Sequence, residues 1–479
     1  MNKYFIAAER RACRVAAIAL VSVLTFQLSS SVAQADESKM SARLVNVLEQ
    51  TSNPVPVVVM LQQLTPLPHT VWGKIPSAQV ETMIKHRILE NQRDLRAHVA
   101  ELMNNKTFGA NTSIRNVKYF WNVNAMMATA SVDTIYSLSD RDDVAFVYLD
   151  ERIKLAPDYR VEADVDGSEF TYGLEKIGVP ALRQANPDIS GKGVIVGILD
   201  TGIDPKHPEF EGKTITFKDL VGGKKDAYDD HGHGTHVAGT IAGIGAGGTQ
   251  IGVAPGVTQL VIGKVFTASG GGSLSSILKG MEFMADPDGK PETPDQPRVI
   301  NNSWGGNLGD SVENDPFSPA VFTWVQLNIF PSFAAGNSGP SASSVGSPGG
   351  LPQSFAVGAT DQNDKVTSFS SRGPVSITHK GERVKYVKPD VSAPGKSVLS
   401  AMPGGKYGEM SGTSMATPHT TGAIALVIQT KPDATIVQVR DILMKSSKDL
   451  GQSGMDNDYG AGRLDVNHAY EMIMNGAGR

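Results

Sequence analysis

The sequence predicts an α/β fold: a parallel sheet with helices on both faces, preceded by a small α+β unit. From about residue 193, five short, continuously apolar runs alternate with helix-like stretches. These runs are residues 194–199, 260–265, 299–302, 329–335 and 355–359. Buried parallel strands have this pattern because helices cover both of their faces. The chain has 479 residues, 40% of them hydrophobic, which is enough for two or three packed units.

Residues 1–35 are predicted to be a secretory signal peptide. Basic residues precede an apolar run at 15–26, and a small-x-small cleavage site follows at 33–35. The apolar run is too short to span a bilayer, so we expect no membrane anchor after cleavage; an uncleaved anchor is the alternative. The single cysteine, Cys13, lies before the run, and the secreted protein would therefore contain no disulfide.

Residues 36–157 have the pattern of a small α+β unit. Candidate strands and helices follow one another in the order βαββαβ, which is typical of a ferredoxin-like unit. The strands are at 55–61, 114–123, 125–130 and 144–149, and the helices are at 77–104 and 131–139. Residues 150–175 are charged and low in hydrophobicity, and we interpret them as a linker.

The net charge of the chain argues against one class of partner. It is −5, and no basic block occurs anywhere in the sequence. Nucleic acid is therefore not expected as a partner. Nothing in the sequence indicates an oligomer, and we expect a monomer.

An apolar run ends in a carboxylate at Asp200, which Gly202 follows in a turn. Active sites of open α/β sheets lie beyond the carboxyl ends of the strands, so Asp200 is a candidate functional residue. An aspartate that caps the next helix has the same local sequence, and this alternative stays open.

Three histidines, His231, His233 and His236, fall within six residues. His-x-His spacing occurs in metal sites, so a zinc site is one interpretation. The small, apolar residues after His233 favour another, in which a closely packed helix presents one histidine to a nucleophile. The motif alone leaves the two interpretations open.

Ser414 stands between Gly412 and an apolar, helix-like stretch. Proline is tolerated in the first turn of a helix, so Pro418 predicts that a helix begins just before it, with Ser414 at its start. A helix N-terminus favours negative charge that develops on Ser414. A serine that only caps the helix is the alternative.

Taken together, the three motifs supply the parts of a hydrolase. A serine hydroxyl needs a base to take its proton and a carboxylate to orient that base. The chain offers these in the order Asp200, His233, Ser414. Two other classes stay open: a zinc hydrolase that uses His231, His233 and His236, and a non-catalytic binding or scaffold protein.

The segments around Asp200, His233 and Ser414 resemble those of the subtilisin-like serine proteases, the subtilases, over roughly residues 170–470. The resemblance implies a subtilisin-like peptidase domain whose catalytic triad is formed by these three residues. It also implies a serine endopeptidase that hydrolyses protein or peptide substrates through an acyl-enzyme. An α/β-hydrolase would need the order serine, acid, histidine, whereas this chain has the acid first and the serine last, which argues against that class.

The same resemblance extends to the oxyanion hole. Asn337, in residues 333–339, matches the asparagine whose amide binds the tetrahedral oxyanion, and the N–H of Ser414 is the implied second donor. An asparagine in a left-handed turn beside two glycines is the alternative.

Two further segments resemble the substrate-binding edges of the family. Ser303, Trp304 and Gly305 match the segment that pairs with the substrate backbone and walls the pocket for the residue before the scissile bond. Gly270 and Gly271 match the opposite edge, where small residues let an extended peptide add as a strand. For these glycines, a flexible surface loop is the alternative.

Calcium is the ion that the resemblance implies, as a structural ion, and catalysis would need no cofactor. Glu209 lies where the family often has an acidic ligand, but the loop at 244–250 lacks a ligand side chain. Asp286 and Asp288, in a segment with a turn glycine, are the second candidates. A solvated surface loop is the alternative for that segment.

The resemblance also gives the N-terminal unit a role. It implies that residues 36–157 are a propeptide that assists folding and then inhibits, and that residues 158–479 are the peptidase domain. The expected product is a secreted, self-processing zymogen with its own propeptide as inhibitor. A permanent accessory domain is the alternative.

Overall fold

The computed structural model describes residues 37–68, 75–104, 113–155, 159–165, 167–307 and 309–476. The predicted signal peptide lies outside the described residues. The strands are β1 (Val55–Leu61), β2 (Ile114–Phe120), β3 (Ala125–Ala130), β4 (Val144–Leu149), β5 (Arg152–Lys154), β6 (Tyr159–Glu162), β7 (Ile195–Asp200), β8 (Thr214–Asp219), β9 (Gln259–Lys264), β10 (Gly271–Ser273), β11 (Val299–Asn302), β12 (Phe330–Ala334), β13 (Phe355–Thr360), β14 (Val375–His379), β15 (Glu382–Tyr386), β16 (Val391–Pro394), β17 (Val398–Met402) and β18 (Lys406–Ser411).

The helices are α1 (Ala42–Leu48), α2 (Ser77–Asn91), α3 (Arg93–Asn104), α4 (Val132–Ser139), α5 (Tyr172–Lys176), α6 (Val179–Ala185), α7 (His233–Ala242), α8 (Leu274–Ala285), α9 (Ser318–Gln326), α10 (Thr413–Thr430), α11 (Ile436–Ser446) and α12 (Val466–Met474). Within the described part of the chain, we find no helix with the length and apolar character needed to cross a membrane.

A seven-stranded sheet forms the centre of the larger unit. Its strand order is β16-β13-β12-β11-β7-β9-β8, and every neighbouring pair is parallel. The five apolar runs are its five inner strands, with bounds that differ from the prediction by one residue at most. The parallel sheet is therefore confirmed. The two edge strands, β8 and β16, were not predicted.

Helices cover both faces of this sheet, as predicted. On one face, α7 and α10 pack against side chains such as Val196 and Ile198 of β7. On the other face, α8 and α9 pack against Leu199 of β7 and Ile300 of β11. Neighbouring residues of β7 thus point into different cores, which explains why the strand is apolar throughout.

The N-terminal unit contains a four-stranded antiparallel sheet in the order β2-β3-β1-β4. Its strands and helices follow the predicted βαββαβ order, with α1 added in front. The predicted helix at 77–104 is divided into α2 and α3 at Gln92. The Gln92 side chain is buried and donates to the carbonyl oxygen of Phe120 at 2.8 Å. This hydrogen bond holds the break between the two helices against the end of β2.

The N-terminal unit packs against α8 and α9. Ile84 and Phe120 belong to the same hydrophobic core as side chains of these two helices. The N–H of Trp121 donates to Glu282 Oε1 of α8 at 2.8 Å, and Thr323 of α9 donates to a carbonyl of the unit at 2.8 Å. The two units therefore share apolar surface and hydrogen bonds.

The interpretation of residues 150–175 as a linker was partly wrong, because both β5 and β6 lie in this stretch. β5 pairs antiparallel with β10, and β6 pairs antiparallel with β18. Their partners are more than a hundred residues away in the sequence, and the strands carry charged side chains because they are largely exposed. Local composition could not reveal them.

Candidate active site

Asp200 is the last residue of β7 and lies at the carboxyl edge of the sheet. Its Oδ1 lies 2.7 Å from Nδ1 of His233 and accepts the N–H of Thr201 at 2.7 Å. Neither the Asp200 nor the His233 side chain is exposed to solvent. A buried carboxylate on Nδ1 fixes the orientation of the imidazole and leaves Nε2 as the atom that can act as a base.

His233 begins α7, and Asp229 organises this helix start. The Asp229 carboxylate accepts the N–H groups of His231, Gly232 and Thr235 at 2.8–3.0 Å, and the Thr235 hydroxyl at 2.7 Å. Burial alone would raise the pKa of Asp229, but these hydrogen bonds hold that pKa below its ordinary value. Sequence reasoning missed Asp229; the signal was an aspartate a few residues before a helix start.

The start of α7 also approaches the turn after β7 very closely. A Cβ placed on Gly234 would lie 2.1 Å from the carbonyl oxygen of Gly202. Only glycine at 234 therefore permits the approach that brings His233 to Asp200.

The zinc interpretation of the three histidines is wrong for the residues that the structure describes, since they do not form a group that could hold a metal ion. His233 is directed at Asp200. Nε2 of His236 lies 2.9 Å from the carbonyl oxygen of Val398, buried in the core. The ring of His231 lies 2.8 Å from the Arg160 guanidinium.

Ser414 is the second residue of α10 and is 5% exposed. Its hydroxyl donates to the carbonyl oxygen of Ser303 at 3.1 Å. The N–H groups of the first helical turn have no intrahelical acceptor, so the N–H of Ser414 is a potential donor to a ligand. Pro418 lies in the second turn rather than in the first, which differs from the prediction. The helix tolerates it there because Ser303 Oγ donates to the Ser414 carbonyl at 2.8 Å.

Asn337 follows β12 and is held by α10. Its Oδ1 accepts both the N–H and the hydroxyl of Thr413 at 2.9 Å. The hydroxyl of Thr413 in turn accepts the N–H of Gly336 at 3.2 Å. A Cβ on Gly412 would lie 3.1 Å from Asn337 Nδ2. These contacts fix the amide with its oxygen towards Thr413 and its Nδ2 group towards Gly412, in the cleft that Ser414 also lines.

A cleft of about 1080 Å³ opens beside Ser414. It is lined, among others, by Ser303, Trp304, Gly305, Asn337 and Ser414. Trp304 is only 2% exposed, and its side chain packs against Phe317 and Phe333.

Gly270 and Gly271 are paired with residues of the chain that line the cleft. Gly271 lies opposite Lys154 in the antiparallel pair of β10 and β5, and the N–H of Leu155 donates to the carbonyl oxygen of Gly270 at 2.8 Å. Lys154 and Leu155 line the same cleft as Ser414. An extended segment thus adds as a strand at Gly270 and Gly271.

Glu209 does not fit a calcium ion, which corrects the expectation from sequence. Its carboxylate oxygens accept the N–H groups of Gly245 and Gly247 at 2.7 and 3.3 Å and the hydroxyl of Tyr407 at 2.7 Å. A cation at this carboxylate would face the N–H and O–H groups that donate to it, whereas calcium requires several oxygen ligands around it. The carboxylate holds the loop at 244–250 by hydrogen bonds instead.

Asp286 and Asp288 form an acidic group with Asp295, with ligand oxygens within 4.8 Å of one another. Burial and the charges of the other two carboxylates raise the pKa of Asp295. Oxygen donors of this kind suit calcium. Asp286 is also paired with Lys85 of the N-terminal unit, which lies 2.6 Å from Glu81 as well. A calcium ion at this group stays a prediction.

Comparison with known proteins agrees with this architecture. Residues 191–462 match the family model described as "Subtilase family". The serine protease AprX of Bacillus subtilis (strain 168) is 35% identical over 377 residues, which cover 73% of this chain and 80% of the relative. Subtilisin E of the same organism is 35% identical over 355 residues, 74% of this chain and 82% of the relative. The subtilisin of Bacillus pumilus is 36% identical over 301 residues, 62% of this chain and 98% of the relative.

Proposed function

Because the chain belongs to the subtilase family and is a serine-type endopeptidase, we propose that Asp200, His233 and Ser414 are its catalytic triad. The observation that carries the proposal is the buried contact of 2.7 Å between Asp200 Oδ1 and His233 Nδ1. A fully buried carboxylate on the Nδ1 side of an imidazole is the arrangement that prepares Nε2 to take a proton from a serine.

In the proposed reaction, His233 Nε2 takes the proton of Ser414 as Oγ attacks the scissile carbonyl. Asp200 holds the tautomer and stabilises the imidazolium. The N–H of Ser414 and Nδ2 of Asn337 donate to the oxyanion, and the dipole of α10 adds to this stabilisation. The bond to the leaving amine breaks as His233 returns the proton, and water then hydrolyses the acyl-enzyme with His233 again as base.

We further propose that the protein is made as a zymogen, with residues 36–157 as an inhibitory propeptide and residues 158–479 as the peptidase domain. The strand pairing of β5 with β10 supports this role, because it leads the chain into the cleft as an extended peptide substrate would bind. The contact between the N-terminal unit and α8 and α9 holds that segment in place.

Secretion is the last part of the proposal. It depends on the signal-like pattern of residues 1–35. Mass spectrometry of the protein from the culture medium or the periplasm of an expressing bacterium would locate the new N-terminus. A start near residue 36 in the unprocessed protein is the expected result, and retention of residues 1–35 would contradict it.

The nucleophile is tested by comparing the chain without residues 1–35 as wild type, as Ser414→Ala and as Ser446→Ala. Ser446 is a matched control, because it is buried in α11, away from the cleft. Intact mass after refolding reports self-cleavage, and reaction with a fluorophosphonate reports acylation. We expect cleavage near residues 150–165 and labelling in the wild type and in the control, and neither in Ser414→Ala.

Each other outcome contradicts a defined part of the proposal. Labelling or peptidase activity in Ser414→Ala would exclude Ser414 as the nucleophile. Labelling of a wild type that remains uncut would retain the triad and exclude self-processing. Cleavage of all three proteins at the same bond would assign processing to another peptidase.

A further inference from the structure

The helix that carries Ser414 lacks one of its own hydrogen bonds at the nucleophile. In a regular helix the carbonyl of Ser414 would accept the N–H of residue 418. Residue 418 is proline and has no N–H to donate. Ser303 Oγ instead donates to this carbonyl at 2.8 Å, and both residues are buried. A side chain from outside the helix thus replaces the missing donor.

This hydroxyl belongs to a directed chain of hydrogen bonds. The hydroxyl of Thr421 donates to Asn301 Oδ1 at 2.9 Å, and Asn301 Nδ2 donates to Ser303 Oγ at 2.9 Å. Ser303 then donates to Ser414. All four residues are 5% exposed or less. Asn301 and Ser303 each accept one hydrogen bond and donate the next in the same direction, an arrangement in which neighbouring hydrogen bonds strengthen one another.

The network connects the nucleophile to the sheet that carries Asp200, the acid of the proposed triad. Thr421 and Ser414 are both on α10, whereas Asn301 is in β11. β11 pairs with β7, the strand that ends in Asp200, with Asn301 opposite Ile198. The main-chain carbonyl of Ser303 also accepts the hydroxyl of Ser414 at 3.1 Å.

We propose that the side chain of Ser303, supported by Asn301 and Thr421, is a positioning group for the nucleophile. By holding the Ser414 carbonyl, it fixes the backbone dihedral angles of Ser414. The Cα of Ser414 is the common base of the attacking Oγ and of the adjoining N–H donor, so both depend on this hydrogen bond. The inference rests on the proposed role of Ser414, and it concerns the side chain of Ser303 rather than its main chain in the cleft.

The test is a double-mutant cycle with Ser303→Ala, Pro418→Ala and the combination of both. Ser303→Ala keeps the main-chain edge of the cleft and removes the donor. We expect kcat to fall by about 10–100-fold with little change in KM, since misplacement of a reacting group by about 1 Å can cost about 100-fold. Pro418→Ala supplies an N–H to the Ser414 carbonyl. The double variant should therefore recover most of the kcat that Ser303→Ala loses, measured against Pro418→Ala.

Thr421 provides a second pair, which also decides the matter if Ser303→Ala does not fold. Thr421→Val removes the hydroxyl at nearly constant volume, and Thr421→Ser keeps it. We expect Thr421→Val to lower kcat and the rate of fluorophosphonate labelling, and Thr421→Ser to retain both to within about twofold.

The results separate the inference from the proposed function. Rates are measured on the full chain after processing, with peptide substrate, and melting temperatures are recorded in parallel. If the double variant is as slow as Ser303→Ala, or if Thr421→Val and Thr421→Ser lose activity equally, the positioning role is refuted while the triad stands. If Ser414→Ala remains active, the proposed function fails before this question arises.

Discussion

Gly234→Ala should uncouple the acid from the base of the proposed triad. The new Cβ would lie 2.1 Å from the carbonyl oxygen of Gly202, and contacts below 3.0 Å are essentially never seen. The start of α7 and the turn at Gly202 must therefore separate by at least 0.9 Å, the difference between 2.1 and 3.0 Å. A movement of that size along the contact of His233 with Asp200 would lengthen it from 2.7 to 3.6 Å, which is no longer a hydrogen bond.

The expected result is a fall in kcat on the order of 100-fold, with KM changed much less, because misplacement of a catalytic group by about 1 Å costs about that factor. Steady-state hydrolysis of a peptide substrate measures it, and the rate of fluorophosphonate labelling provides an independent check. Ser446→Ala is again the control, because Ser446 is buried in α11, away from the cleft and from this contact. A kcat for Gly234→Ala within about twofold of wild type, in a folded protein, would refute the reasoning.

Three further predictions concern other parts of the molecule. Asn337→Ala should lower kcat on the order of 10²–10³-fold without a matching change in KM, a range known from a subtilisin; an unchanged kcat would exclude Asn337 from the oxyanion hole. His419 is fully buried, and burial lowers its pKa from 6.5 to about 4. The contribution of neutral His419 to the free energy of unfolding should therefore be complete above pH 6.5, and about 3 kcal/mol should be lost as the pH falls towards 4. Denaturant titration should show a smaller fall for His419→Gln. Burial raises the pKa of Glu81 to about 7 against the opposing effect of Lys85, so binding of the cut N-terminal unit should be strongest below pH 4.5 and weaken as the pH rises through 7. Gel filtration of the cut protein across this pH range measures the retained unit, and Glu81→Gln should remove most of the pH dependence.

The sequence predicted the strands that are buried on both faces and missed those at the edges or in distant pairings. The five inner strands of the parallel sheet are covered on both faces, which leaves uninterrupted apolar runs in the sequence. The edge strand β8 alternates between exposed and partly buried residues, and β16 has only four residues and ends in Pro394. β5 and β6 exist only because distant strands pair with them, so their own residues could not predict them.

The site could be predicted as far as its chemistry depends on residue type within a motif. Asp200 and His233 are in contact, as the motifs suggested. The groups that hold the motifs in place were not visible, because Asp229 and Thr413 act through backbone N–H groups and amide orientation. Glu209 was misassigned for a related reason: its partners are N–H groups, which every residue of a glycine-rich loop carries.

The two strands on either side of residues 156–158 have a consequence for the timing of activation. β5, which leads into the cleft, is paired with β10, and β6 is paired with β18. Cutting the chain between them severs a covalent bond but leaves both new ends held by their own ladders. In the proposed zymogen, we therefore expect that scission alone would not clear the cleft. Activity should appear with a lag after cleavage, and the rate at which β5 and the N-terminal unit dissociate should set the length of that lag.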